Sequence, residues 1–327
     1  MATLFTSWDE ERFPGLQEHM RQLYARSLAG VLSNEESPNK ELDEQFINRL
    51  FQMIEKYFLS FLKLGYASKT TFPASLEQLK KIRLISILDE SLRNRLNGVT
   101  YKYIIAMNPT PGCYPEHDSD TSLELTFYHE LGHILTSCNK EDMEYLYKCL
   151  DSGDHAKEIE KGFECLDEVV VQSIAEDVYY DQKGEARPEV KTMQNQIIYP
   201  KGEFHSNLAE YRELQEIACS FAKCLGFLQV SENDSMDEVI KKLAKAMLSQ
   251  NFCYHFYQEC VMDPEKMKDF ETMLIAMGKI KDAKYGSFGI GTLKREDLDI
   301  TESIVDFQVL AEKNKSIFIE PEEKVQS

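Results

Sequence analysis

Residues 127–138 read FYHELGHILTSC, and the fold and chemistry of the chain hinge on them. Two of only seven histidines, His129 and His133, stand four residues apart, with Glu130 directly after the first. On an α-helix, side chains four apart share a face, so two imidazoles at this spacing can grip one metal ion. Glu130 is rotated about a third of a turn from His129. It can therefore take the proton of a water held at the metal instead of binding the metal itself, which is the mechanical content of His-Glu-x-x-His. Zinc suits imidazole and carboxylate ligands, and a catalytic zinc keeps one position open for water. The ion lowers the pKa of that water and polarises a carbonyl, while the glutamate carries the proton. The plainer alternative is an ordinary core helix, since Phe127, Leu131, Ile134 and Leu135 flank the motif. Gly132, inside the same helix, costs about 1 kcal/mol against alanine, which favours a site where another backbone or a substrate comes close.

The flanking sequence supports a helix at this place. Tyr101, Tyr103, Ile104 and Ile105 in VTYKYIIAMNPTPG (99–112) favour a strand, and Asn108-Pro109-Thr110-Pro111-Gly112 ends it. Thr121 and Glu124 form a Thr-x-x-Glu capping box ahead of an apolar run, so the helix is expected to begin near residue 121. Upstream, ELDEQFINRLFQMIEKYFLSFLKLG (41–65) is amphipathic: Ile47, Leu50, Phe51, Ile54, Phe58, Phe61 and Leu62 recur at three- and four-residue steps, and Gly65 is a natural stop. Residues 76–96 read as helical with a short strand around IRLISIL. Further helices are expected from 140 to about 150, at 158–180, 207–227, 235–249, 251–261 and 264–278, with an irregular stretch at 184–206. The expected class is α+β, predominantly α-helical. The expected organisation is a helical region at 1–95, a catalytic core at 96–206, a helical region completing a cleft at 207–320, and a flexible tail at 321–327.

Composition narrows the function. With 327 residues and 43% hydrophobic content the chain can bury a sizeable core. A net charge of -19 repels nucleic-acid phosphates and anionic lipid heads, which argues against nucleic-acid and membrane-surface binding. No apolar run reaches the roughly 18 residues that span a bilayer. The start, MATLFTSWDEERFPG, lacks the basic and apolar regions of a signal peptide. The eight cysteines form no Cys-x-x-Cys pair and read as reduced thiols. A cytoplasmic location is the expectation, with export by a route needing no signal peptide as the other possibility.

A site of this kind needs a third ligand. The extended pattern with a third histidine fails, because Thr136 and Asn139 stand where glycine and histidine are required. A downstream glutamate is the better candidate, and GFECLDEVVVQSIAED supplies Glu168 on a helix with Phe163, Leu166, Val170 and Ile174. Glu164 and Glu176, one turn before and two turns after it, are rivals that read as solvated helix-face charges. His155, in a polar turn, is a rival that reads as a surface residue.

HELGH followed by a helix with LDEVVVQSIAE resembles the gluzincin branch of the zincin metallopeptidases. The resemblance covers roughly residues 99–180. It implies a zincin-like fold, with a small sheet, an active-site helix and a glutamate helix, and one Zn²⁺ per chain bound by His129, His133 and Glu168. Gln172 stands where the family often has an aspartate that holds a ligating histidine, and its amide oxygen can accept from an imidazole N–H. The strand before the active-site helix implies an edge on which an extended peptide lies, with Tyr103 and Ile105 as contacts. Zincins often stabilise the oxyanion with a later Tyr, His or Arg. The candidates are Tyr211, favoured for its place near the start of a helix, His205 and Arg212. The implied activity is zinc-dependent peptide hydrolysis with Glu130 as base and a peptide or protein as substrate. The alternatives are a dedicated protease cutting a single partner, and a zincin-fold regulatory protein that binds without turnover.

Overall fold

The computed structural model describes residues 4–5, 7–33, 40–66, 78, 81–86, 97–101, 103–109, 119–136, 155–187, 191–193, 196–198, 215, 218–249 and 252–285. Contacts divide the chain into two compact units. One comprises residues 1–139, 170–209 and 247–250; the other comprises 140–169, 210–246 and 251–327. The expected boundaries at 95 and 206 do not coincide with this division.

The first unit opens with helices α1 (Ser7–Arg12), α2 (Leu16–Ser33) and α3 (Lys40–Lys63). On α3 all seven of the expected apolar positions are buried, from Ile47 to Leu62. Gly65 ends it with φ of +73°, where the N–H groups of Gly65 and Tyr66 close back on Leu62 and Phe61. The rings of Tyr57, Phe61 and Tyr66 stack in series, and Tyr57 reaches Tyr128 with ring centroids 5.5 Å apart. Burial holds the Tyr57 phenol far above its ordinary pKa, so it stays neutral in this core.

Three short strands follow: β1 (Arg83–Ser86), β2 (Gly98–Tyr101) and β3 (Ile104–Met107). The order is β1-β3-β2, with β1 parallel to β3 and β2 antiparallel to it. The stretch expected to form one strand from residue 99 is instead two antiparallel strands, with Tyr101 paired to Ile104. This corrects the expected edge role of Ile105. It lies in the central strand, paired on both sides and fully buried, so no substrate strand can add there. Tyr103 sits in the turn, where its carbonyl accepts from the Arg83 N–H and its hydroxyl from Lys81. Among the described residues β1 and β2 are the outer strands.

Helix α4 (Ser119–Thr136) carries the histidines and α5 (Ala156–Lys183) carries Glu168. Residues 156–169 of α5 fall in the second unit and 170–183 in the first. A short ladder of β4 (Lys191–Met193) and β5 (Gln196–Ile198) occupies part of the stretch expected to be irregular.

Besides the first half of α5, the described α-helices of the second unit are a stretch at 218–223, α6 (Met236–Met247, its last residue in the first unit), α7 (Phe252–Met262) and α8 (Pro264–Tyr285). Phe163, Phe221, Phe256 and Phe270 form its aromatic core. Ser235 and Glu238 cap α6 reciprocally. The helix expected at 140–150 lies outside the described residues. No helix among the described residues is long and apolar enough to cross a membrane.

One contact in the first unit sets the spacing of α4 and α5. A Cβ built on Gly132 would stand 2.8 Å from the Cβ of Val171 and 3.3 Å from its Cα. Helix propensity alone favours Gly132→Ala by about 1 kcal/mol. Overpacking against an atom fixed to the backbone costs about 1–3 kcal/mol, so the clash wins. Gly132→Ala is therefore expected to lower stability, read as a lower urea midpoint at unchanged m-value. A higher midpoint would show that the helices part without cost.

Candidate metal centre

Most of the described side chains of α4 are buried, as expected of a helix enclosed by its own unit. The half-exposed positions among its later residues are Thr126, His129 and His133, which make one narrow stripe. The two flanks of that stripe are closed differently. On the Gly132 side lies Val171 of α5. On the Glu130 side lies β2: a Cβ on Gly98 would stand 2.9 Å from Thr126 Cγ2 and 3.1 Å from Glu130 Cγ. Thr100 also donates to the Glu130 backbone oxygen at 3.0 Å. Both close approaches need a glycine. The histidines are thus held between an outer strand and a second helix, and Glu130 is the residue on the strand side.

The Nε2 atoms of His129 and His133 lie 3.0 Å apart. A ligand atom from each histidine and one from Glu168 all fall within 4.8 Å of one another, and all three residues are half-buried. This group could hold a metal ion. Glu168 belongs to α5, which crosses α4 at Val171, and it shares a helix face with Gln172 one turn on.

Gln172 is buried beside the site, and its Oε1 accepts from His129 Nδ1 at 2.9 Å. Its Nε2 donates to Glu176 Oε1 at 3.1 Å. The expectation that Glu176 is a solvated charge is overturned, because it is 1% exposed. Its other oxygen lies 2.7 Å from a guanidinium nitrogen of Arg187. A carboxylate is tolerated at such depth when a cation and hydrogen bonds replace its water. Glu164 is exposed and His155 is exposed; neither belongs to the group. His205, Tyr211 and Arg212, the expected oxyanion donors, lie outside the described residues.

Three residues behind the site were not expected from the sequence: Asp177, Arg187 and Tyr66. A signal for the first layer was present, since Glu168, Gln172 and Glu176 follow at four-residue steps and so form one polar line on an otherwise apolar helix. Nothing local marks Arg187 or Tyr66.

No family model, no curated protein and no solved structure matches the chain. The geometry predicts about one bound metal ion per chain, in keeping with a single three-residue ligand set. Elemental analysis of protein purified without a metal-affinity tag checks this. Glu168→Ala should bind the ion more weakly, and His133→Ala should not retain it. A parent protein that takes up no metal even after incubation with Zn²⁺ would remove the centre.

Proposed function

We propose that the chain is a zinc-dependent metallopeptidase of the gluzincin type. The observation that carries the reading is the convergence of two imidazoles and a carboxylate on one point, with Glu130 next in sequence to a ligand. The donor set fits zinc. Two nitrogens on a tetrahedral zinc at about 2.05 Å stand roughly 3.3 Å apart, close to the 3.0 Å between the Nε2 atoms. Two histidines and a glutamate leave a fourth position open, as a catalytic site requires. A structural site would more often be closed with cysteines, and Cys165, on α5, is buried outside the ligand group.

Zinc held there supplies a Lewis acid that polarises the scissile carbonyl and acidifies a water. The rest is the work of side chains. His129 and His133 hold the ion from one helix face and Glu168 from the other helix. Gln172 fixes the His129 ring through Nδ1. Glu130 takes the proton of the attacking water and returns it to the leaving amine. Its Cγ packs beside Gly98, which limits where its carboxylate can swing.

The test is Glu130→Gln. The variant should bind Zn²⁺ as the parent does and cleave a fluorescence-quenched peptide library about 10²–10⁴-fold more slowly, the usual contribution of a general base. Undiminished cleavage would sink the assignment of Glu130. Zinc binding without any cleavage by the parent would favour a binding protein without turnover.

A further inference from the structure

Arg187 comes four residues after the end of α5. Gly184, with φ of +70°, ends the helix: its N–H bonds to Asp181 O at 3.1 Å, and the Glu185 N–H bonds to Tyr180 O at 3.0 Å. This left-handed cap reverses the chain. Arg187 thereby lies back along the last turns of α5, where one guanidinium nitrogen meets Glu176 Oε2 at 2.7 Å. The other meets Asp177 Oδ1 and Ser173 Oγ, each at 3.0 Å. Its side chain is 10% exposed. From the far side Tyr66 donates to the second oxygen of Asp177. Burial, with the Asp177 carboxylate beside it, holds the Tyr66 phenol well above its ordinary range, so it remains a donor.

The line from Arg187 to His129 has a direction. A guanidinium only donates, and an ionised carboxylate only accepts. Glu176 is therefore held as the anion by its ion pair with Arg187, and it accepts the hydrogen bond from Gln172. Gln172, between Glu176 and His129, offers both a donor and an acceptor. With its NH₂ committed to Glu176 at 3.1 Å, its oxygen faces His129 at 2.9 Å. An amide oxygen only accepts, so the proton of the neutral His129 ring sits on Nδ1. The Nε2 lone pair then points toward His133 Nε2, the atom on the other side of the metal position.

We infer that Arg187 and Glu176 are positioning residues that set the tautomer of His129, so that its Nε2 is ready to bind metal before any metal arrives. The inference rests on the reading of His129 as a ligand. It assigns the Gly184–Arg187 turn, outside both motifs, to the metal centre.

The test exchanges one oxygen for one NH₂. In Glu176→Gln the new amide oxygen is drawn to the donor-only Arg187, which leaves its NH₂ facing Gln172. Gln172 then turns its own NH₂ toward His129, and the ring must accept at Nδ1 and carry its proton on Nε2. Adding Gln172→Glu restores an acceptor-only group beside His129 and restores the direction. Two-bond ¹H–¹⁵N correlation spectra of the ¹⁵N-labelled, metal-free full chain, at a pH where imidazole is neutral, read the tautomer. Competition against a chromophoric chelator reads Zn²⁺ affinity.

The parent should show His129 protonated on Nδ1. Glu176→Gln should show it protonated on Nε2, with Zn²⁺ bound about 10–100-fold more weakly, the usual effect of losing a partner behind a ligand. The double exchange should return both readings toward the parent, a rescue that a merely structural role would not produce. Protonation on Nε2 in the metal-free parent overturns the inference. So does a folded Glu176→Gln with tautomer and affinity unchanged. If Glu176→Gln does not fold, the parent and the double exchange decide, and Nε2 protonation in either overturns it. Failure of the parent to bind Zn²⁺ defeats the metal reading, while the tautomer measured without metal judges the polar line separately.

Discussion

Two helices can approach as closely as α4 and α5 do at Val171 only where one of them has no side chain. Gly132 supplies that gap between the two histidines. The missing methyl group costs helix propensity, about 1 kcal/mol against alanine. What it makes possible is a distance. With the helices in contact at this point, Glu168 comes within reach of the imidazoles and Gln172 within hydrogen-bonding distance of His129. The strand side of the stripe follows the same logic, because Gly98 lets β2 lie against Thr126 and Glu130. The candidate centre therefore sits in a slot whose two walls are each set by an absent Cβ.

Behind that slot the protein buries charge. Arg187 faces Glu176 and Asp177 together, with little water to screen them. Isolated, such a carboxylate would suffer a desolvation penalty of several kcal/mol, and breaking a buried pair typically costs about 3–5 kcal/mol. Apolar residues of the same volume could fill the space with no loss of stability. The charges are better understood through what they impose on their neighbours. Donor-only and acceptor-only groups transmit a direction that no apolar packing can. Tyr128, donating to Gln182 at 2.7 Å, and Lys63, paired with Asp181 at 2.6 Å, tie the same end of α5 to α4 and α3. The polar line thus rests on a helix end that is itself held.

Much of the architecture was legible in local pattern. The burial of Ile47 through Leu62 on α3 and its stop at Gly65 followed from three- and four-residue spacing and a glycine. The strand around Arg83–Ser86 stood out as an apolar run. The antiparallel pair that joins Tyr101 to Ile104 reads as one strand in the sequence, because no glycine, proline or asparagine stands between those two residues. The edge that the resemblance implies does not hold for Ile105, because folding the strand back places β3 in the middle of the sheet. Glu176 was misread for a related reason. A glutamate on a long helix is usually solvated, and its partner Arg187 lies beyond the helix end, where helical periodicity says nothing.

What the sequence by itself determined is whatever a single helix can enforce: His129 and His133 on one face, Glu130 beside them, and Glu168, Gln172 and Glu176 in line. Helical geometry is local, so spacing alone fixes these sets. Which set meets which was decided only by tertiary structure. That α4 touches α5 at Gly132, that β2 lies against the Glu130 flank, and that the chain turns at Gly184 to bring Arg187 under the site all depend on contacts between distant segments. Burial and hydrogen-bond direction arise from the neighbours a residue acquires on folding, and one-dimensional spacing does not name them.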